Sequence, residues 1–95
     1  MLKTLVWSSA FVRAVKRLIS QNPQFRSSIG STLDKLAQDP FNPTLRTHKL
    51  NGELAGRWSC SVDRSNRILF KFIKNGDSGR EEIFLLTMGS HDEVY

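Results

Sequence analysis

Two histidines (His48 and His91), one tyrosine (Tyr95) and a scatter of arginines are the side chains of this sequence best suited to moving protons and holding anions. An imidazole with its ordinary pKa near ~6.5 gives or takes a proton at neutral pH. A guanidinium offers a fixed fork of donors to phosphate. That inventory suits metal-free cleavage of RNA, in which the substrate supplies its own nucleophile, the ribose 2′-hydroxyl. The protein must then remove a proton there, protonate the departing 5′ oxygen and stabilise the extra negative charge on the phosphate. An aromatic ring such as that of Tyr95 can stack on an unpaired base.

Other chemistries lack their residues. There is no Gly-rich phosphate loop, no HExxH and no GxSxG. Cys60 is the only cysteine, so no intrachain disulfide and no Cys-based zinc cluster can form. Neither a metal nor a small-molecule cofactor is expected. No apolar run approaches the ~20 residues of a membrane span, and the apolar start "MLKTLVWSSAFVRAVKRL" is interrupted by lysine and arginines. The reading is a cytoplasmic chain in a reducing compartment, away from membranes. Its 95 residues suit a single domain, 1–95, with one core and one site.

The net charge of +5 is uneven. Residues 81–95 carry Glu81, Glu82, Asp92 and Glu93 and no basic side chain, whereas the first eighty hold fourteen basic against five acidic ones. Between Arg46 and Lys74 seven basic residues meet only Glu53 and Asp63. A patch of that sign attracts polyanions, RNA among them, or is simply a solvated surface.

The elements that must position these groups follow from periodicity. Residues 2–7, "LKTLVW", suit a first strand, ending at a serine N-cap. Phe11, Val15, Leu18 and Ile19 recur at helical spacing, with Arg13, Lys16 and Arg17 on the other side. A second helix is expected to open at Asn22-Pro23, to bury Phe25, Ile29, Leu33 and Leu36, and to stop at Asp39-Pro40. Residues 40–56 show no clear period and read as a long ordered loop. Beyond it the period switches to two: Trp58, Cys60 and Val62, then Ile68, Phe70 and Phe72 across a "DRSN" turn. "EEIFLLTMG" is apolar on both sides, as a central strand should be. The expected fold class is α+β, a small, largely antiparallel four-stranded sheet in the order β-α-α-β-β-β, with a two-helix hairpin on one face.

Taken together, "LNGELAGRWSCSVDRSNRILFKF" and "EEIFLLTMGSHDEVY" resemble the second half of the RelE/ParE superfamily of bacterial toxins, closest to its YafQ-like branch. The shared features are an L-x-G loop, a Trp-containing strand, an arginine-led apolar strand and a closing G-[ST]-H-x-x-[LV]-[FY]. The resemblance implies a RelE-like microbial RNase fold and an mRNA interferase that cuts mRNA in the ribosomal A site. It also implies a cognate antitoxin as partner. Carried over residue by residue, it implies that His91 is a general acid or base, that Tyr95 is the terminal aromatic, that Arg67 contacts the scissile phosphate, and that His48 is the loop histidine of the YafQ branch. Where that branch has a second histidine and an aspartate, this chain has Ser61 and Ser65. Asp63 or Asp92 is then the candidate for the missing general base.

Each residue also has a plainer reading. Tyr95 either meets a base or packs against the sheet to pin the terminus. Arg67 shares its strand face with Lys71, which favours a phosphate contact. Lys49, Arg57, Arg64 and Lys71 are expected to bind RNA backbone, and Trp58 to belong to the core. The glycine in "TMGSHDEVY" is expected to let the chain turn so that His91 and Tyr95 reach the face bearing Arg67. Two rivals stand beside the interferase: a ParE-like toxin that inhibits a topoisomerase by binding, and a degenerate toxin that retains only antitoxin binding.

Overall fold

The computed structural model describes residues 2–95. Helix α1, Ser9–Gln21, starts where Ser8 adopts an extended conformation and its hydroxyl accepts the Phe11 N–H at 3.0 Å. That satisfies one of the donors a helix start leaves unpaired. The face carrying Phe11, Ala14, Val15 and Leu18 is buried, whereas Lys16 and Arg17 face outward.

Helix α2, Phe25–Gln38, begins two residues later than Asn22-Pro23 suggests. Asn22 spends its side-chain oxygen on the Gln24 N–H at 3.1 Å, making a turn between the helices instead of a cap on the second. Ile29, Leu33 and Leu36 are buried as expected, Phe25 packs at the margin of the core, and Asp39 closes the helix.

The sheet has five strands, not four, in the order β1-β5-β4-β3-β2. They are β1 Leu5–Trp7, β2 His48–Lys49, β3 Trp58–Ser61, β4 Asn66–Lys74 and β5 Glu81–Ser90. The extra strand, β2, lies in the segment read as loop. Its two residues pair His48 with Ser59 and Lys49 with Trp58, too short a run to show any alternation. Strand β1 is shorter than residues 2–7 and runs parallel to β5, so β5 is indeed interior, flanked by β1 and β4.

A bulge in the β4–β5 ladder explains how β5 can be apolar on both sides. Leu69 pairs with Thr87 but Phe70 pairs with Leu85, leaving Leu86 as the extra residue. Leu85 and Met88, three apart, both reach the core in consequence. The Leu86 carbonyl is taken by the Ser8 hydroxyl at 2.9 Å, which docks the start of α1 on the bulge.

The helices and the inner sheet face share one cluster, with Phe11, Leu36, Phe70, Ile83 and Leu85 fully buried. At roughly 1.5–3 kcal/mol for each such side chain, this layer dominates folding. Trp58 packs against its edge, as its alternation with Cys60 indicates. Among the described residues no helix is long and apolar enough to cross a membrane.

Candidate functional site

Strand register places the candidate residues on the sheet face that the helices leave open. Across the sheet, His48, Ser59, Leu69 and Thr87 form one row, and Ser61, Arg67 and Gly89 form the next. Leu69 is only 2% exposed yet lies outside the core cluster, so something on the open face covers it. That cover is the C-terminal turn.

The turn is a four-residue helix, α3, His91–Val94. Ser90 caps it in an extended conformation, its hydroxyl accepting the Glu93 N–H at 3.3 Å while Glu93 accepts the Ser90 N–H at 2.9 Å. This reciprocal pair is a capping box. The second carboxylate oxygen of Glu93 meets Arg17 of α1 at 3.0 Å. The bonds from Ser90 hold the Glu93 carboxyl below the usual range, with Arg17 adding to the effect.

Gly89 serves differently from the expectation. It is paired within β5, opposite Arg67, and the change of direction is made by Ser90. Glycine leaves room for the Glu93 side chain, since a Cβ there would stand 3.1 Å from Glu93 Oε1 and 3.2 Å from its Cβ.

The turn brings the His91 and Tyr95 rings edge to face at 4.3 Å between centroids. The Tyr95 hydroxyl donates to Ser59 Oγ, a side chain with no exposure at all. Tyr95 therefore bridges from the end of β5 to β3 over the row that contains Leu69. His91 stays exposed, and Asp92 Oδ1 lies 3.6 Å from its Nδ1.

His48, at the other end of that row, is oriented by its backbone surroundings. Its Nδ1 is 3.0 Å from the Arg46 carbonyl, an acceptor only, so Nδ1 carries a hydrogen and Nε2 is the lone-pair nitrogen of the neutral tautomer.

The β3–β4 turn holds the arginine. Nη1 of Arg67 donates to the carbonyls of Asp63 at 2.8 Å, Asn66 at 3.1 Å and Arg64 at 3.3 Å, which fixes the head of the side chain and leaves its other N–H groups for a ligand. Asp63 Oδ1 accepts from the Ser65 and Asn66 N–H groups, both at 2.8 Å. Burial pushes this carboxyl up, but those bonds, the Asn66 amide and the Arg67 charge outweigh it and hold it below the usual range. A carboxylate so committed is a poor proton acceptor, so of the two acids named as candidate base, Asp63 is a structural part of the turn.

A groove of about 390 Å³ opens beside Arg67, lined also by Thr44, Arg46, Ser61, Asp63 and Arg64. Lys71 lies on the open face with its ammonium 5.5 Å from the Phe84 ring, and Arg57 is exposed just before β3. Lys49 is not brought to the site. Its ammonium sits 5.6 Å from the ring of Trp58, its register partner, on the side opposite His48.

Among the described residues no group of three or more His, Cys, Asp or Glu could hold a metal. Cys60 faces the core, and burial pushes its thiol up to about 12 despite the Ile68 backbone and Arg67. It is no nucleophile at neutral pH.

Sequence reasoning missed Ser59, Arg46, Arg17 and Glu93. The alternation with Trp58 and Cys60 already put Ser59 on the open face. A serine followed three residues later by a glutamate, present as Ser90 and Glu93, was the legible sign of the capping box. Arg17 and Arg46 come in through tertiary packing, which no local pattern reveals.

No protein-family model matches the chain, and no curated protein matches it. Solved structures do. A copper-bound mutant toxin from Helicobacter pylori is 24% identical with a TM-score of 0.76, each chain covered over 100% of its length. YafQ from E. coli is 14% identical with a TM-score of 0.77, over 98% of each chain. A YoeB/ParE toxin from Agrobacterium tumefaciens is 17% identical with a TM-score of 0.75, over 93% of this chain and 98% of that one. From first strand to terminal turn, the chain has the fold of the RelE/ParE toxin superfamily that its strand motifs resemble.

Proposed function

We propose that this protein is the toxin of a type II toxin–antitoxin pair and cleaves mRNA, in the ribosomal A site, by metal-free attack of the 2′-hydroxyl. The observation that carries the reading is that His48 and Arg67 stand in adjacent rows of one open sheet face, over which Tyr95, with the His91 ring against its own, reaches to Ser59. In this reading Nε2 of His48 takes the 2′-hydroxyl proton, its opposite nitrogen being held by the Arg46 carbonyl. The N–H groups of Arg67 that the turn does not use stabilise the phosphorane. His91 protonates the 5′ oxygen, with Asp92 beside it, and Tyr95 offers the ring on which a base lies. Lys71, Arg57 and Arg64 hold backbone phosphates.

The antitoxin partner is supported by likeness to a chain of the E. coli DinJ–YafQ toxin–antitoxin complex, 13% identical with a TM-score of 0.75. An acidic or amphipathic segment laid over the basic face would be its means of inhibition.

The test is growth arrest and mRNA cleavage on expression without a partner. Arg67→Ala with His91→Ala should abolish both while circular dichroism stays native. Undiminished cleavage in the double variant would sink the assignment. The Agrobacterium neighbour carries ParE in its name, so a gyrase assay run in parallel separates inhibition by binding. Absence of toxicity in either assay would leave antitoxin binding as the function.

A further inference from the structure

The groove beside Arg67 contains two guanidiniums that the chemistry above does not use for its reacting phosphate, Arg46 and Arg64. Among the described residues neither forms an ion pair within 4.0 Å. The one carboxylate on the wall, Asp63, is engaged by the Ser65 and Asn66 N–H groups, and its nearest cation, Arg67, is turned to backbone carbonyls. The groove therefore carries three arginines against one carboxylate. Like charges that line one groove favour an anion between them.

The backbone also marks this place. Arg46 has φ 51°, the one left-handed residue other than glycine among those described. That conformation is unusual for a long side chain and tends to persist where surrounding structure imposes it. Here the preceding turn imposes it: Asn42 accepts the Thr44 N–H at 3.0 Å and the Thr44 hydroxyl at 2.8 Å, Pro43 opens the turn, and Arg46 closes it. The same residue thus gives its carbonyl to His48 and lines the groove.

Arg67 stands at the boundary. Its row, with Ser61, is two residues along the strand from the row of Ser59 and His48, about 7 Å away. We infer that this groove is a second phosphate subsite, which holds the phosphodiester next to the scissile one on Arg46 and Arg64. The ligand class is single-stranded RNA with at least two consecutive phosphodiesters. The position of the scissile phosphate rests on the function proposed above; the binding of two consecutive phosphates does not.

The experiment measures binding, without cleavage. Fluorescence anisotropy compares a labelled dinucleoside monophosphate with a trinucleoside diphosphate, both 2′-deoxy throughout so that neither can be cut. The native chain should bind the two-phosphate ligand at least tenfold more tightly. In Arg46→Asn with Arg64→Gln that ratio should fall to within about twofold of one, and the salt slope for the longer ligand should lessen by about 0.7, the value of one single-strand phosphate contact. Asparagine is chosen at 46 because it adopts left-handed backbone readily, and an unchanged thermal midpoint verifies the fold.

A ratio unchanged by the substitutions would overturn the subsite. So would an oligoglutamate peptide that displaces the longer ligand as well as unlabelled oligonucleotide does, since the groove would then be built for an acidic protein segment. A native chain that never cleaves RNA, yet loses the ratio in the variant, would overturn the nuclease reading and leave the subsite standing.

Discussion

The β3–β4 turn and the C-terminal turn use the same device and differ in what they rely on. In each, a carboxylate accepts backbone N–H from its own turn, two at Asp63 and one at Glu93, sits below its usual pKa and lies close to an arginine. The Asp63 turn is closed on itself: Asp63, Ser65, Asn66 and Arg67 satisfy one another within five residues. The Glu93 turn is tied elsewhere, through Arg17 to α1 and through Tyr95 to β3. Arg67 therefore stands on rigid local structure, whereas His91 rides on an element whose position depends on two distant attachments. Rigidity is useful where charge must be met in a fixed place. Release of product is favoured by elements that can move.

The comparison can be broken most sharply at Asp63. Asp63→Ala leaves two backbone N–H groups without their acceptor and loosens the turn whose carbonyls hold Arg67, so chemical denaturation should show a loss of about 1–2 kcal/mol, with RNA affinity falling as well. Stability lost with affinity intact would mean that the turn does not place the arginine. Next in size is Tyr95→Phe, expected to cost about 1 kcal/mol because it leaves the buried Ser59 hydroxyl without the phenol that it meets. Adding Ser59→Ala should recover most of that, and a cycle with no coupling would remove the bridge from the account.

Acid distinguishes the turns further. Both carboxyls are lowered on folding, so each contributes stability that is complete above the usual carboxylate range and is lost as pH falls through its native value. Thermal midpoints at pH 7 and about pH 3 should therefore converge in Asp63→Asn relative to the native chain. The smallest effect on stability belongs to Glu93→Ala. Its thermal midpoint should barely move, while the ring-current shift that the edge-to-face contact gives the His91 protons disappears from the NMR spectrum and cleavage drops. A native His91 shift in that variant would show that the capping box does not set the ring.

The sequence made some of this legible and hid the rest for physical reasons. Helix α1, strands β3 to β5 and the "DRSN" turn were readable because burial imposes a period and turns need particular residues. Strand β2 was not, because two residues cannot display alternation, and neither was the parallel partner of β1, since pairing is a property of two segments. Of the candidate site, Arg67, His91 and Tyr95 can be named from motif and face, whereas Arg46 lines the groove from a separate loop, which no local pattern shows. The glycine before Ser90 was noticed and given the wrong role, because local sequence shows that side-chain bulk is absent but not what fills the space.

The parallel pairing of β1 with β5 has a consequence for how the molecule comes into being. Leu5 waits for Ile83, and the Ser8 hydroxyl for the carbonyl of Leu86, 78 residues further on. The strand that these early residues need is interior to the sheet and is synthesised after every other strand. Until residues 81–90 leave the ribosomal tunnel, neither the sheet nor the two rows that carry the site can form. Assembly of the sheet is therefore sensitive to the closure of a loop that spans nearly the whole chain.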